Sequence, residues 1–121
     1  MTQRKDKFKK ISYGIKSDQF VKHPQESKEE RSALRRELGI SDCECVVGMI
    51  ACFKRQKAPK VFLDTVCKAV SKSREIRFLS VGDGSLRRDI EKAAIKKDIH
   101  DKIVFMGWRQ DVQQLLSVID I

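Results

Sequence analysis

A chain of 121 residues with 26 Lys and Arg against 17 Asp and Glu carries a net charge of +9 at neutral pH. That length supports one hydrophobic core and excludes two substantial domains. No run approaches the roughly 20 apolar residues of a membrane-spanning helix, and a charged start without an apolar h-region argues against a secretory signal. The excess charge gathers at the start, where Arg4, Lys5, Lys7, Lys9 and Lys10 face only Asp6. Such a run is either a solvated tail or an arm for anionic partners, among them nucleotides, nucleic acid and lipid headgroups, and it names none of them. Cys43, Cys45, Cys52 and Cys67 are irregularly spaced, with His23 and His100 far from the single C-x-C. A zinc site needs four clustered ligands, so no metal is expected, and reduced thiols in a cytoplasmic protein fit better.

Residues 1–25 read as an irregular basic segment, with a strand-like run Lys10–Tyr13 ending at Gly14 and a break at Pro24. The remaining residues, 26–121, read as one α/β domain. Ser27 to Leu38 has the marks of a helix: Ser27 as N-cap, Glu30 closing a capping box, Arg35 and Arg36 in the last turn, and Gly39 just beyond. Its apolar stripe is narrow (Ala33, Leu34 and Leu38). Cys45 to Ala51 is apolar apart from Gly48, as in a strand covered on both faces. A helix follows Pro59, with Val61, Phe62, Thr65, Val66, Ala69 and Val70 at helical spacing. Ile76–Val81 is a second strand, and Ser85–Lys97 a second crossover helix with Leu86, Ile90, Ala93 and Ala94 inward. His100 falls in a turn, Ile103–Met106 is a third strand ended by Gly107, and Asp111–Val118 is a helix burying Val112, Leu115 and Leu116. Ile119–Ile121 resembles the opening of a fourth strand. The series predicts an incomplete Rossmann-like, three-layer α/β/α domain with a parallel sheet. It reads as a fragment.

In such sheets ligands gather beyond the carboxyl ends of the strands. Two segments there suit an anion: Cys52-Phe53-Lys54-Arg55-Gln56-Lys57 after the first strand, and Gly82-Asp83-Gly84-Ser85-Leu86-Arg87 after the second. The glycines of the second serve a tight turn with Asp83 capping the helix, or alternatively bring backbone close to a ligand. They are not a dinucleotide fingerprint, because the first loop lacks the required glycines. Trp108 and Arg109 follow the third strand, where the indole either packs under the missing part of the domain or stacks on a base.

The order Tyr13-Gly14-Ile15-Lys16 with Phe20, Gly48 to Lys54 with Gln56-Lys57-Ala58-Pro59, and Val81 to Arg87 resembles the C-terminal half of retaining glycosyltransferases of the GT-B fold. Val104-Phe105-Met106-Gly107-Trp108, Asp111-Val112, Leu115-Leu116 and Asp120-Ile121 extend the likeness from about residue 8 to the end. The resemblance implies two Rossmann-like domains across a cleft, with the C-terminal one holding a UDP- or GDP-sugar donor and no further cofactor. It implies that Lys57 contacts the donor diphosphate and that Trp108 and Arg109 lie near the base. Cys52 stands where many relatives have an arginine, so either Lys54 or Arg55 supplies that charge or this subgroup manages without it. The acidic E-x7-E segment and the acceptor domain fall outside these residues, so the resemblance implies a donor-binding fragment that is inactive alone, from a parent whose membrane association stays open. The rival reading is a non-catalytic basic α/β module for a phosphorylated ligand or nucleic acid, or an inactive gene remnant.

Overall fold

The computed structural model describes residues 9–10, 12–20 and 24–121. Strands β1 (Cys45–Ile50), β2 (Ile76–Val81) and β3 (Ile103–Gly107) form a parallel sheet in the order β1-β2-β3. Helices α1 (Pro24–Glu37), α2 (Pro59–Lys72), α3 (Arg87–Lys96) and α4 (Val112–Val118) cover it. Alternation along the strands divides the core. Val47, Phe78, Ile103 and Phe105 face α2 and α3, where they meet Leu63, Val66, Ile90 and Ala94. Val46, Leu79, Val81, Val104 and Met106 face the other way, against Leu34 of α1 and Leu115 and Val118 of α4. The result is the expected three-layer Rossmann-like arrangement.

Beyond α4 the chain returns along the free edge of β1. The Asp120 N–H donates to the Val46 carbonyl at 2.8 Å, and the Gly48 N–H donates to the Ile121 carbonyl at 2.9 Å. This pairing is strand-like, although residues 119–121 are not regular strand. Gly48 permits it, because a Cβ there would lie 2.7 Å from Ile119 Cγ1. The Asp120 carboxylate closes the joint: it accepts from the Val46 N–H at 2.8 Å and from Arg31 Nη2 at 2.6 Å. At the same amino end of the sheet, Glu44 is buried and paired with Arg77 at 3.0 Å. Burial pushes the Glu44 carboxyl up, but the Ser41 N–H and Arg77 outweigh it and leave it below the ordinary range.

Several expectations need correction. The first helix begins at Pro24, so Ser27 lies within it and is no cap; proline is pre-organised for the first helical position and moves the start upstream. Ala33 is exposed, and Arg35 is buried instead, donating to the Ser41 carbonyl at 2.7 Å and to that of Glu44. On α2 the inward face is Pro59, Leu63 and Val66; Val61 and Thr65 point outward, where the Thr65 hydroxyl bonds the Val61 carbonyl. On α4, Val118 is buried and Leu116 exposed. Lys10 and Ser12–Lys16 are irregular, not a strand, while Ile11, His23 and the basic residues before Lys9 lie outside the described residues. No helix among the described residues is long and apolar enough to cross a membrane.

Candidate functional site

Three loops meet at the carboxyl ends of the strands, and main-chain bonds tie them together. Between the first and second, the Phe53 N–H donates to the Asp83 carbonyl at 3.1 Å and the Leu86 N–H to the Phe53 carbonyl at 3.0 Å. Between the second and third, the Gly82 N–H donates to the Gly107 carbonyl at 2.7 Å. The β2–β3 register shifts between Ser80 and Val81, which brings Val81 opposite Gly107.

The glycines of the second loop are required by this closeness. Gly82 has φ +134°, and a Cβ on it would run into the Ala51 carbonyl. A Cβ on Gly84 would lie 2.7 Å from the Phe53 carbonyl oxygen and 2.9 Å from its nitrogen. The turn reading of Gly82-Asp83-Gly84 therefore has a direct physical basis. Asp83 is not a helix cap: Leu86 holds that position without a side-chain bond, and the Asp83 carboxylate accepts from the Gly84 N–H and from Arg87 Nη1.

Between the loops lies a mostly apolar cleft of about 230 Å³, lined by Ile50, Ala51, Cys52, Gly82, Trp108 and Val112 among others. It brings Cys52, Gly82, Trp108 and Arg109 together. Trp108 is 72% exposed, so its ring is open to a partner that these residues do not supply. The Arg109 guanidinium is occupied by Asp111 through a fork of 2.7 and 2.6 Å, and this pairing holds the Asp111 carboxyl below the ordinary range. Arg109 can offer its backbone to a ligand more readily than its charge. Ile50, at the end of β1, and Val112, at the start of α4, also line the cleft; in sequence both read as core, because an apolar residue at the end of an element carries no signal that separates lining from core.

Lys57 and Arg55 lie outside the cleft. Both sit on a short 3-10 turn, Arg55–Lys57, between β1 and α2, and both are exposed, as is Lys54. Among the described residues no acidic group pairs with any of the three. The turn closes on Ala58, whose φ of 48° places a non-glycine residue in the left-handed region directly before Pro59. That conformation costs roughly 1–2 kcal/mol. It sets the path by which the turn enters α2.

The sequence profile of the family described as "Glycosyl transferases group 1" matches residues 44–121, more than half of the chain. The chain belongs to that family. Among curated relatives, N-acetyl-alpha-D-glucosaminyl L-malate synthase of Bacillus anthracis is 28% identical over 94 residues, covering 78% of this chain and 24% of its own length. Alpha-D-kanosaminyltransferase of Streptomyces kanamyceticus is 28% identical over 96 residues, with the same coverage. The chain thus spans about a quarter of the length of these two relatives. The crystal structure of Anabaena Alr3699/HepE in complex with UDP and glucose matches with a TM-score of 0.77 at 20% identity, over 91% of this chain and 29% of that one. The C-terminal domain of the group 1 family protein LpcC from Francisella tularensis matches at 0.69 and 10% identity, over 88% of this chain and 56% of that one. These likenesses establish the Rossmann-like fold of the GT-B glycosyltransferases for this group 1 family chain.

Proposed function

We propose that this chain is the donor-binding part of a metal-independent, retaining glycosyltransferase, and that it takes the nucleoside diphosphate of a nucleotide sugar. The observation that carries the reading is the pairing of an apolar cleft holding Trp108 with the cations Lys54, Arg55 and Lys57 on the adjoining loop. The cleft suits a base, with the indole offering a stacking face. The cations suit the diphosphate, and Lys57 would neutralise the charge that builds on it as the glycosidic bond breaks. Cys52 brings no charge to the cleft, so Arg55 and Lys54 complete the electrostatic side. UDP is the first ligand to try, since HepE was crystallised with it. Transfer needs donor and acceptor held in attack geometry, so these 121 residues are expected to bind without turnover. The four cysteines are free, which fits a reducing, cytoplasmic setting.

The test is a titration of UDP, GDP and ADP, followed by heat or Trp108 fluorescence, on wild type and Lys57→Ala. Saturable binding of one diphosphate, weakened about tenfold by the substitution, is the expected result, because one charge-assisted hydrogen bond contributes about 1.5–3 kcal/mol. Lys57 is exposed and unpaired among the described residues, so thermal stability should not change. The net charge of +9 favours a second reading, a surface for polyanions. Duplex nucleic acid binding with a steep salt slope and no sensitivity to Lys57 would establish that one instead.

A further inference from the structure

The second and third loops are joined by one side chain that the proposed donor chemistry does not use. Arg87 opens α3 and reaches in three directions. Its Nε donates to Glu91 at 2.7 Å, and its Nη1 donates to Asp83 at 3.2 Å. The same Nη1 lies over the α-carbon of Gly107, where a Cβ would come within 2.7 Å of it. Gly107 has φ +69° and directly precedes Trp108. Glu91 orients the fork, Asp83 anchors it to the loop after β2, and the bare Gly107 lets the guanidinium close over the backbone that launches Trp108. The guanidinium plane fits this seat, whereas an ammonium would meet one partner at a time.

We infer that Arg87 is a positioning residue: it fixes the Gly107–Trp108 backbone against the Gly82–Gly84 loop and so sets the Trp108 wall of the cleft. The consequence for ligand binding rests on the donor-site reading above; the consequence for Trp108 does not. Trp108 is the only tryptophan, so its fluorescence reports the loop directly.

The experiment compares wild type, Arg87→Met and Arg87→Lys by Trp108 anisotropy and acrylamide quenching without ligand, followed by UDP titration. Arg87→Met should lower the anisotropy and raise the quenching constant while far-UV circular dichroism stays native. Arg87→Lys should fall between it and wild type, and it carries the test if the methionine variant does not fold. UDP affinity should drop several-fold in the same order. Native-like anisotropy and quenching in a folded Arg87 variant would overturn the inference. Failure of wild type itself to bind any nucleoside diphosphate would remove the donor-site reading, and the fluorescence comparison would still decide the role of Arg87.

Discussion

Replacing Asp120 with alanine should destabilise the domain by about 2–3 kcal/mol. The carboxylate serves three partners that lie far away in the chain: Val46, Arg31 and, at 3.7 Å, the buried Arg35. Its Oδ2 accepts from the Val46 N–H, 74 residues upstream, on a residue with no solvent exposure. Leaving that donor unsatisfied costs about 1–3 kcal/mol. Its Oδ1 accepts from Arg31, but both side chains are about one-third exposed, so that pair contributes less than about 1 kcal/mol. For a domain of this size the sum corresponds to a fall in Tm on the order of 10 °C. A pH series adds a second check. Hydrogen bonds from Val46 and Arg31 hold the Asp120 carboxyl below its ordinary value. A depressed folded-state pKa means that the stabilisation is complete above the unfolded value of about 3.9 and is lost as pH falls through the folded value. Urea midpoints of wild type and Asp120→Ala should therefore differ by a constant amount from pH 8 to 5, and the difference should narrow only below about pH 4. A difference under about 0.5 kcal/mol at pH 7, or one that holds unchanged to pH 3, would refute the reasoning.

Two further substitutions test the packing around the site. Leu63→Ala should cost about 2–5 kcal/mol in urea denaturation while Val61→Ala stays within about 0.5, because Leu63 is buried and Val61 is 63% exposed. Gly84→Ala should cost about 2–3 kcal/mol by the same measurement, since its methyl would press on the Phe53 main chain, which cannot swing aside as a side chain would.

Much of the fold is legible in the sequence because strands buried on both faces leave short, mostly apolar runs, broken in β2 only by Arg77 and Ser80. Ile76–Val81 can be read to the residue, and Ile103–Gly107 to within one. The α2 face is harder. Val61, Phe62 and Leu63 are consecutive apolar residues, so several rotations of the helix satisfy the same pattern, and only contact with Phe78 and Phe53 selects Leu63. At α1 two start signals compete, and Pro24 prevails over the Ser27–Glu30 capping box. The site divides in the same way. The loops are legible as strand ends, and the glycines as turn residues. What is missing is the long-range contacts, Arg87 over Gly107 and Asp120 beneath Val46, together with the fork that Asp111 makes on Arg109 two residues away. Arg109 looks available in sequence and is occupied, whereas Arg55 and Lys57, the candidates for an anion, stand unpaired among the described residues.

That contrast bears on how the proposed site would divide its work. The cleft is about 230 Å³, below the roughly 300–1,000 Å³ typical of pockets that enclose a drug-sized ligand. A nucleotide sugar would place only its least polar part there and leave the diphosphate outside. Around the cleft the positive groups are already paired, Arg87 with Glu91 and Asp83, and Arg109 with Asp111. Those pairs hold the walls in place, and spending them on phosphate would loosen the cleft that receives the base. Lys54, Arg55 and Lys57, with no acidic partner among the described residues, lie outside the cleft, further along the first loop beyond Cys52. Shape and charge thus reside on separate segments. In the proposed site, a change at Trp108 or Arg87 should alter which base is preferred, whereas a change at Lys57 should weaken all diphosphates alike.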